Sequence, residues 1–167
     1  MKAMTQANAA AAFAGESQAH MKYMAFADVA ERENLPSVAR IFRAAAFAEQ
    51  IHATNHLRTL DGIGKTPANL EAAFGGETFE INEMYPAYLA VAELQGEKGA
   101  LRSMGAALAA EKIHAALYAA AQAAVAAGKD AAVGVVWVCD VCGFTGEGEP
   151  PEKCPICAAA HTKLRKF

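Results

Sequence analysis

No cysteine occurs in the first 138 residues of this chain; all four, Cys139, Cys142, Cys154 and Cys157, fall after them. A disulfide framework for the bulk of the protein is thereby excluded. Proline is nearly as sparse there, with only Pro36, Pro67 and Pro86 before residue 150, so long uninterrupted helices are permitted. No strong charge of either sign exists: the formal net charge is -3. Such a surface has no basic field to hold nucleic acid or an anionic membrane, and both drop out as partners. No apolar run approaches the ~20 residues of a membrane span. The start, MKAMTQANAAAAFAG, is broken by Thr5, Gln6 and Asn8 before any apolar core can form, so no export signal is expected. Two Cys-x-x-Cys pairs in a chain without such a signal fit metal binding in a reducing compartment, and the expected location is cytoplasmic.

What is present divides in two. At 167 residues and 17.5 kDa, the chain has room for one ordinary domain and a small appendage. Residues 1–127 are rich in Ala, Glu, Leu and Met, which favour helix. The last 31 hold Pro150, Pro151, Pro155 and every cysteine. Residues 128–136 are small and Gly-containing, as a tether would be. Helices are expected from about Thr5 to Glu33, Pro36 to Leu60, Thr66 to Gln95 and Glu97 to Ala127. Asp61-Gly62 should end the second and Thr66 cap the third, with Gly75-Gly76 and Pro86 loosening or kinking it.

Glu-x-x-His occurs twice on these helices, at Glu49–His52 and Glu111–His114. Residues three apart on a helix share a face, so each copy aims a carboxylate and an imidazole at one point. Glu16, Glu49, Glu80 and Glu111 each lie about twelve to fourteen residues into their helix, at ~1.5 Å rise per residue. Side-by-side helices would bring them together at mid-depth, with Glu77 one turn from Glu80. A lone helical Glu is ordinarily solvated and a lone core His ordinarily a hydrogen-bonded structural residue. Here the acids sit among Phe13, Ala14, Gly15, Phe47, Ala48, Ala109 and Ala110. Buried carboxylates of one sign resist ionising unless a cation neutralises them. Two Glu-x-x-His helices plus a Glu from each of two others are the donor set of a carboxylate-bridged di-iron or di-manganese site in a four-helix bundle.

The segment from Trp137 has Cys-x2-Cys, eleven residues, then Cys-x2-Cys. Such knuckles place four thiolates around one metal. Spacing alone leaves a structural zinc ribbon open. A 31-residue segment cannot bury enough apolar surface to fold without that metal.

With FAGESQA around Glu16, AEQIHA around Glu49, NLEAAFGGETFEINEMYP from Asn69, AEKIHA around Glu111 and both knuckles in order, the chain resembles the rubrerythrin family. The resemblance implies a mainly α fold: a ferritin-like four-helix di-iron domain over 1–127, a linker over 128–136 and a rubredoxin-like domain over 137–167. It implies two non-haem irons held by Glu16, Glu49, His52, Glu77, Glu80, Glu111 and His114, with Glu49 and Glu111 bridging and Glu80 and His52 as redox-dependent alternatives on one iron. Tyr23 and Tyr85 match the tyrosines beside that site, though either fits as an ordinary core tyrosine. Cys139, Cys142, Cys154 and Cys157 would hold one further iron for electron transfer. The implied activity is reduction of hydrogen peroxide to water in oxidative-stress defence. The electrons would come from NAD(P)H through a separate reductase or external rubredoxin, because no Gly-rich dinucleotide fingerprint is present here. His20 and His56 are expected beside the site or at the surface, and His161 at the surface.

Two other functions share parts of this pattern. An iron-oxidising, iron-storing protein would use the same helices and has no need of the knuckle. A non-enzymatic redox-sensing or metal-binding module would carry zinc in the knuckle. One further expectation comes from the connection at Asp61–Lys65, which spans at most ~17 Å against a ~40 Å helix. The chain therefore cannot return to the far end of a bundle. That leaves a plain up-down-up-down arrangement or exchange of helix pairs between two chains, and a homodimer with exchanged pairs is the expectation.

Overall fold

The computed structural model describes residues 1–167. The fold is mainly α, with five α-helical stretches and a small C-terminal sheet. Helix α1 spans Ala3–Arg32 and α2 spans Pro36–Thr59. Helix α3 spans Thr66–Phe79, a wider π-helical turn covers Glu80–Met84, and α4 runs Tyr85–Leu94. Helix α5 spans Lys98–Ala126.

The chain forms two compact units, Met1–Gly64 and Lys65–Phe167. The first is the α1–α2 hairpin. Its buried residues are Ala27, Ala30, Ala39, Ala46 and Ala53, side chains small enough to let two helix backbones approach closely. Two helices alone cannot enclose anything larger. Met21, Phe26, Ile41, Phe47 and Ile51 accordingly stay exposed. In the second unit α5 packs against α3 and α4, again through alanines: Ala92, Ala106 and Ala110.

The ends of α1, α2, α4 and α5 use the same stop. Asn34, Asp61, Gly96 and Gly128 all take positive φ, and the next amide bonds back five residues, as in Leu35 N–H to Ala30 O at 2.8 Å and Gly62 N–H to Leu57 O at 2.9 Å. This is the Schellman closure, in which a left-handed residue frees the chain to turn away. At the end of α2 Asp61, not the glycine after it, takes the left-handed position.

Two local expectations are corrected. Thr66 is not a side-chain cap: it lies inside α3, Lys65 occupies the cap position, and no side chain bonds there. The Gly75-Gly76 pair does not disturb α3, since a helical glycine costs only ~1 kcal/mol. The irregularity falls immediately before Pro86. Proline has no N–H for the carbonyl four residues back and its ring crowds that carbonyl. A π turn relieves the conflict without breaking the helix.

The C-terminal knuckle has three antiparallel strands in the order β2-β1-β3: β1 Val136–Cys139, β2 Thr145–Glu147 and β3 Leu164–Lys166. Its core is Trp137, Cys139, Cys154 and Leu164, with Phe144 and Ala159 against them. Gly146 is required opposite the tryptophan, where a Cβ would overlap the Trp137 indole. The knuckle's β2 also packs against α5.

Candidate metal centres

Each helical unit carries its own acidic cluster. In the hairpin, Glu16 of α1 and Glu49 and His52 of α2 bring one donor atom each within 4.8 Å of one another. His52 Nδ1 lies 2.8 Å from Glu49 Oε2, the i,i+3 geometry of the Glu-x-x-His motif. In the second unit Glu77 of α3 and Glu111 and His114 of α5 form the matching cluster. There His114 Nδ1 is 2.7 Å from Glu111 Oε2 and 3.7 Å from Glu77 Oε1. Six of the seven acidic and imidazole residues singled out from sequence are thus gathered into two triads.

The seventh, Glu80, stands at the first position of the π turn, outside the tight triad. Its carboxyl is nonetheless raised above its ordinary range, by burial first and then by the charge of Glu111. Tyr85 faces the same acids: its phenol is raised by burial and then by Glu80, Glu111 and Glu77. Tyr23 is instead part of an aromatic group, its ring centroid 6.3 Å from Phe26 and 6.2 Å from Phe42. His20 is half-buried, with Nδ1 2.8 Å from Ala46 O, and His161 is exposed, with Nδ1 3.0 Å from Pro151 O.

The second cluster shows the strain of like charges. The Glu77 carboxyl is pushed from 4.5 up to about 7 by burial, by its hydrogen bond with Glu111 and by that residue's charge, with His114 opposing. Without a cation to neutralise the acids, the cluster favours a proton on Glu77. The folded chain holds that proton more tightly than the unfolded chain does. The stabilisation it brings is therefore complete below pH 4.5 and is lost as pH rises through about 7. Metal-free protein is expected to lose resistance to urea across that window. Glu77→Gln should flatten this part of the profile, and a bound divalent cation, which prefers the ionised carboxylates, should reverse it. Denaturation midpoints between pH 5 and 8, with and without cation, make the check.

In the knuckle all four sulfurs lie within 4.8 Å of one another and none is in a disulfide. Cys139 Sγ to Cys157 Sγ and Cys142 Sγ to Cys154 Sγ are both 3.6 Å. Tetrahedral metal–sulfur bonds of ~2.3 Å place sulfurs ~3.8 Å apart, so the cage fits one metal ion. Burial pushes the Cys139 thiol up, but the Val141 and Cys142 amides and its neighbouring thiols outweigh it and hold it at about 7. Burial raises Cys142 to about 12. Four thiolates cannot coexist there without a cation.

One contact joins the knuckle to the second cluster. His114 Nε2, the ring nitrogen turned away from the acids, lies 2.8 Å from Thr145 Oγ1 on β2. Thr145 carries none of the sequence signals of a site, being a single hydroxyl in a Gly-Phe-Thr-Gly run, and only the fold reveals it.

The sequence model of rubrerythrin matches residues 8–122, and that of the rubrerythrin rubredoxin-like domain matches residues 137–165. The chain belongs to the rubrerythrin family. It is 41% identical to Rubrerythrin-2 of Clostridium acetobutylicum, over 99% of this chain and 97% of that one. It is 35% identical to nigerythrin of Nitratidesulfovibrio vulgaris, over 92% and 81%. A solved structure of nigerythrin in a mixed-valence state aligns with a TM-score of 0.52 and 32% identity, covering 98% of this chain and 86% of that one. A fully reduced, all-ferrous nigerythrin structure aligns with the same score at 33% identity. The rubrerythrin assignment fixes the fold class as ferritin-like helices with a rubredoxin-like knuckle, and the cofactor class as a di-iron centre plus one iron on four cysteines. Its members are generally oxidoreductases. No helix is long and apolar enough to cross a membrane.

Proposed function

We propose that this protein is a cytoplasmic di-iron peroxidase that reduces hydrogen peroxide to water in oxidative-stress defence, resupplied with electrons through its own rubredoxin-type iron. In this reading residues 1–127 are the catalytic domain, 128–136 the tether and 137–167 the electron-transfer domain. The observation that carries it is the pairing of two Glu/Glu/His triads with a four-cysteine cage whose knuckle, through Thr145, hydrogen-bonds His114 of one triad. An iron-storing protein has no use for that cage, and a zinc-bearing sensor has no use for the triads.

In this proposal Glu16, Glu49, His52, Glu77, Glu80, Glu111 and His114 would hold the two irons, with Glu49 and Glu111 shared between them. Glu80 and His52 would be the exchangeable pair. Glu80 suits that role because it is set apart from its triad yet within electrostatic reach of it. Bound there, two irons supply the pair of electrons that turning one peroxide and two protons into two waters consumes. The chain's own groups handle protons: Tyr85 keeps its phenol protonated beside Glu80, Glu111 and Glu77. Tyr23, seven residues after Glu16 on α1, would be the second flanking tyrosine, held by its packing with Phe26 and Phe42.

Cys139, Cys142, Cys154 and Cys157 hold the third iron. Val141, Ile156 and Cys157 leave that end of the knuckle exposed, a face for an external rubredoxin or NAD(P)H-dependent reductase. Thiolate ligation of this kind suits a reducing compartment.

The active form in this proposal is a homodimer with exchanged helix pairs. The donor set divides where the chain divides, with Glu16, Glu49 and His52 before residue 64 and the other four after it. Residues 60–65 between α2 and α3 reach at most ~20 Å, too short to run back along the ~36 Å of α2. The exposed Phe26, Ile41, Phe47 and Ile51 give the hairpin an apolar surface for another chain to cover.

Anaerobic stopped-flow mixing tests the activity. Fully reduced protein is expected to be oxidised by peroxide at least ~10-fold faster than by oxygen at equal concentration. Fast oxidation by oxygen with a sluggish response to peroxide would defeat the peroxidase reading.

A further inference from the structure

We infer that Thr145 is a positioning residue for His114: a hydroxyl carried by the knuckle holds the imidazole of the helical cluster with Nδ1 toward Glu77 and Glu111. The inference rests on the reading of His114 as a metal ligand given above.

Thr145 is 2% exposed and is a buried polar side chain in a molecule whose buried residues are otherwise apolar. Its Oγ1 has two neighbours, His114 Nε2 at 2.8 Å and Gly143 O at a longer 3.4 Å. A hydroxyl both donates and accepts, so Thr145 can serve Nε2 in either protonation state of that nitrogen. With no cation present, Nδ1–H donates to Glu111 Oε2 at 2.7 Å and Nε2 accepts from the hydroxyl. When a cation takes the Nδ1 lone pair, the ring proton must sit on Nε2, and the Thr145 oxygen accepts it while its own proton turns to Gly143 O. A ligating imidazole is generally oriented in this way through its other nitrogen, and loss of such a partner weakens metal binding about 10- to 100-fold.

The hydroxyl is itself firmly placed. Thr145 pairs with Val138 in the β1–β2 ladder. Immediately before it, Phe144 O accepts from Cys139 N–H at 2.9 Å, and Gly143 N–H donates to Cys139 O at 2.9 Å. The same turn carries Cys139 and Cys142. A residue of the electron-transfer domain thereby shapes the donor set of the catalytic one, which neither domain's sequence motifs contain.

The test uses the full-length chain with zinc in the knuckle and the carboxylate site emptied, titrated with cobalt(II) and followed by its visible absorption. Thr145→Val keeps the shape and removes the hydroxyl; Thr145→Ser restores it. Thr145→Val is expected to bind cobalt about 10-fold more weakly, and Thr145→Ser within about threefold of the parent chain. Equal cobalt affinity in the valine variant and the parent, or equal weakening in valine and serine, overturns the inference. His114→Ala separates the two levels. If it leaves cobalt binding unchanged, the ligand assignment itself fails; if it abolishes binding while Thr145→Val does nothing, only the role of Thr145 fails.

Discussion

A one-to-one mixture of two inactive variants, Glu49→Ala and Glu111→Ala, is expected to recover about a quarter of the parent peroxidase activity after the chains are separated and reassociated. Each variant alone carries a lesion in every site. In an exchanged dimer a site takes the α1–α2 hairpin of one chain and the α3–α5 unit of the other. A mixed dimer therefore assembles one site from two intact halves and one from two damaged halves. Random pairing makes about half of the dimers mixed, and half of their sites are whole. If every chain builds its site from its own two units, no mixture regains activity. Isolating the mixed dimer with two different affinity tags should double the recovered fraction, to about half. The basis is the split of the donor set: Glu16, Glu49 and His52 converge within residues 1–64, whereas Glu77, Glu111 and His114 converge within residues 65–167.

Replacing the knuckle iron with zinc is expected to lower steady-state peroxide turnover at least ~100-fold while leaving a single turnover of the pre-reduced di-iron site almost unchanged. Zinc takes the same tetrahedral four-thiolate cage at nearly the same bond length and has no redox chemistry. The 3.6 Å sulfur pairs and the packing of Trp137, Cys139, Cys154 and Leu164 should therefore survive the exchange. The Thr145–His114 contact should survive with them. Only the electron supply is removed. A knuckle that serves just to fold or to recruit a partner would tolerate zinc without loss, and turnover would continue at the parent rate. Single-turnover and steady-state rates on the same zinc-exchanged sample separate these cases.

Most of the metal chemistry could be read from spacing, because helix geometry converts three-residue separations into shared faces. Glu49–His52 and Glu111–His114 each form the close pair that the motif implies, at 2.8 and 2.7 Å. The cysteine cage was equally legible from its two Cys-x2-Cys pairs. Less legible were features governed by competition between backbone effects. Gly75-Gly76 and Pro86 both looked like weak points of the third helix, but only Pro86 proves one: its missing N–H and crowding ring outweigh the entropy cost of two glycines, and the π turn sits at Glu80–Met84. Thr66 has the chemistry of a cap, yet α3 begins one residue earlier than its side chain would need. Thr145 illustrates a third kind of limit. Its importance depends on a contact between residues 31 apart, and no local pattern encodes such a distance.

The most direct measurement is an anaerobic titration of the fully reduced, iron-loaded protein with hydrogen peroxide, followed through the visible band of the ferric knuckle. Three ferrous ions per chain hold three electrons and each peroxide takes two. Both centres should therefore be fully oxidised at about 1.5 peroxides per chain, with the knuckle band completing at that point. A knuckle that stays ferrous in excess peroxide, or a reduced protein that consumes none, would contradict the account.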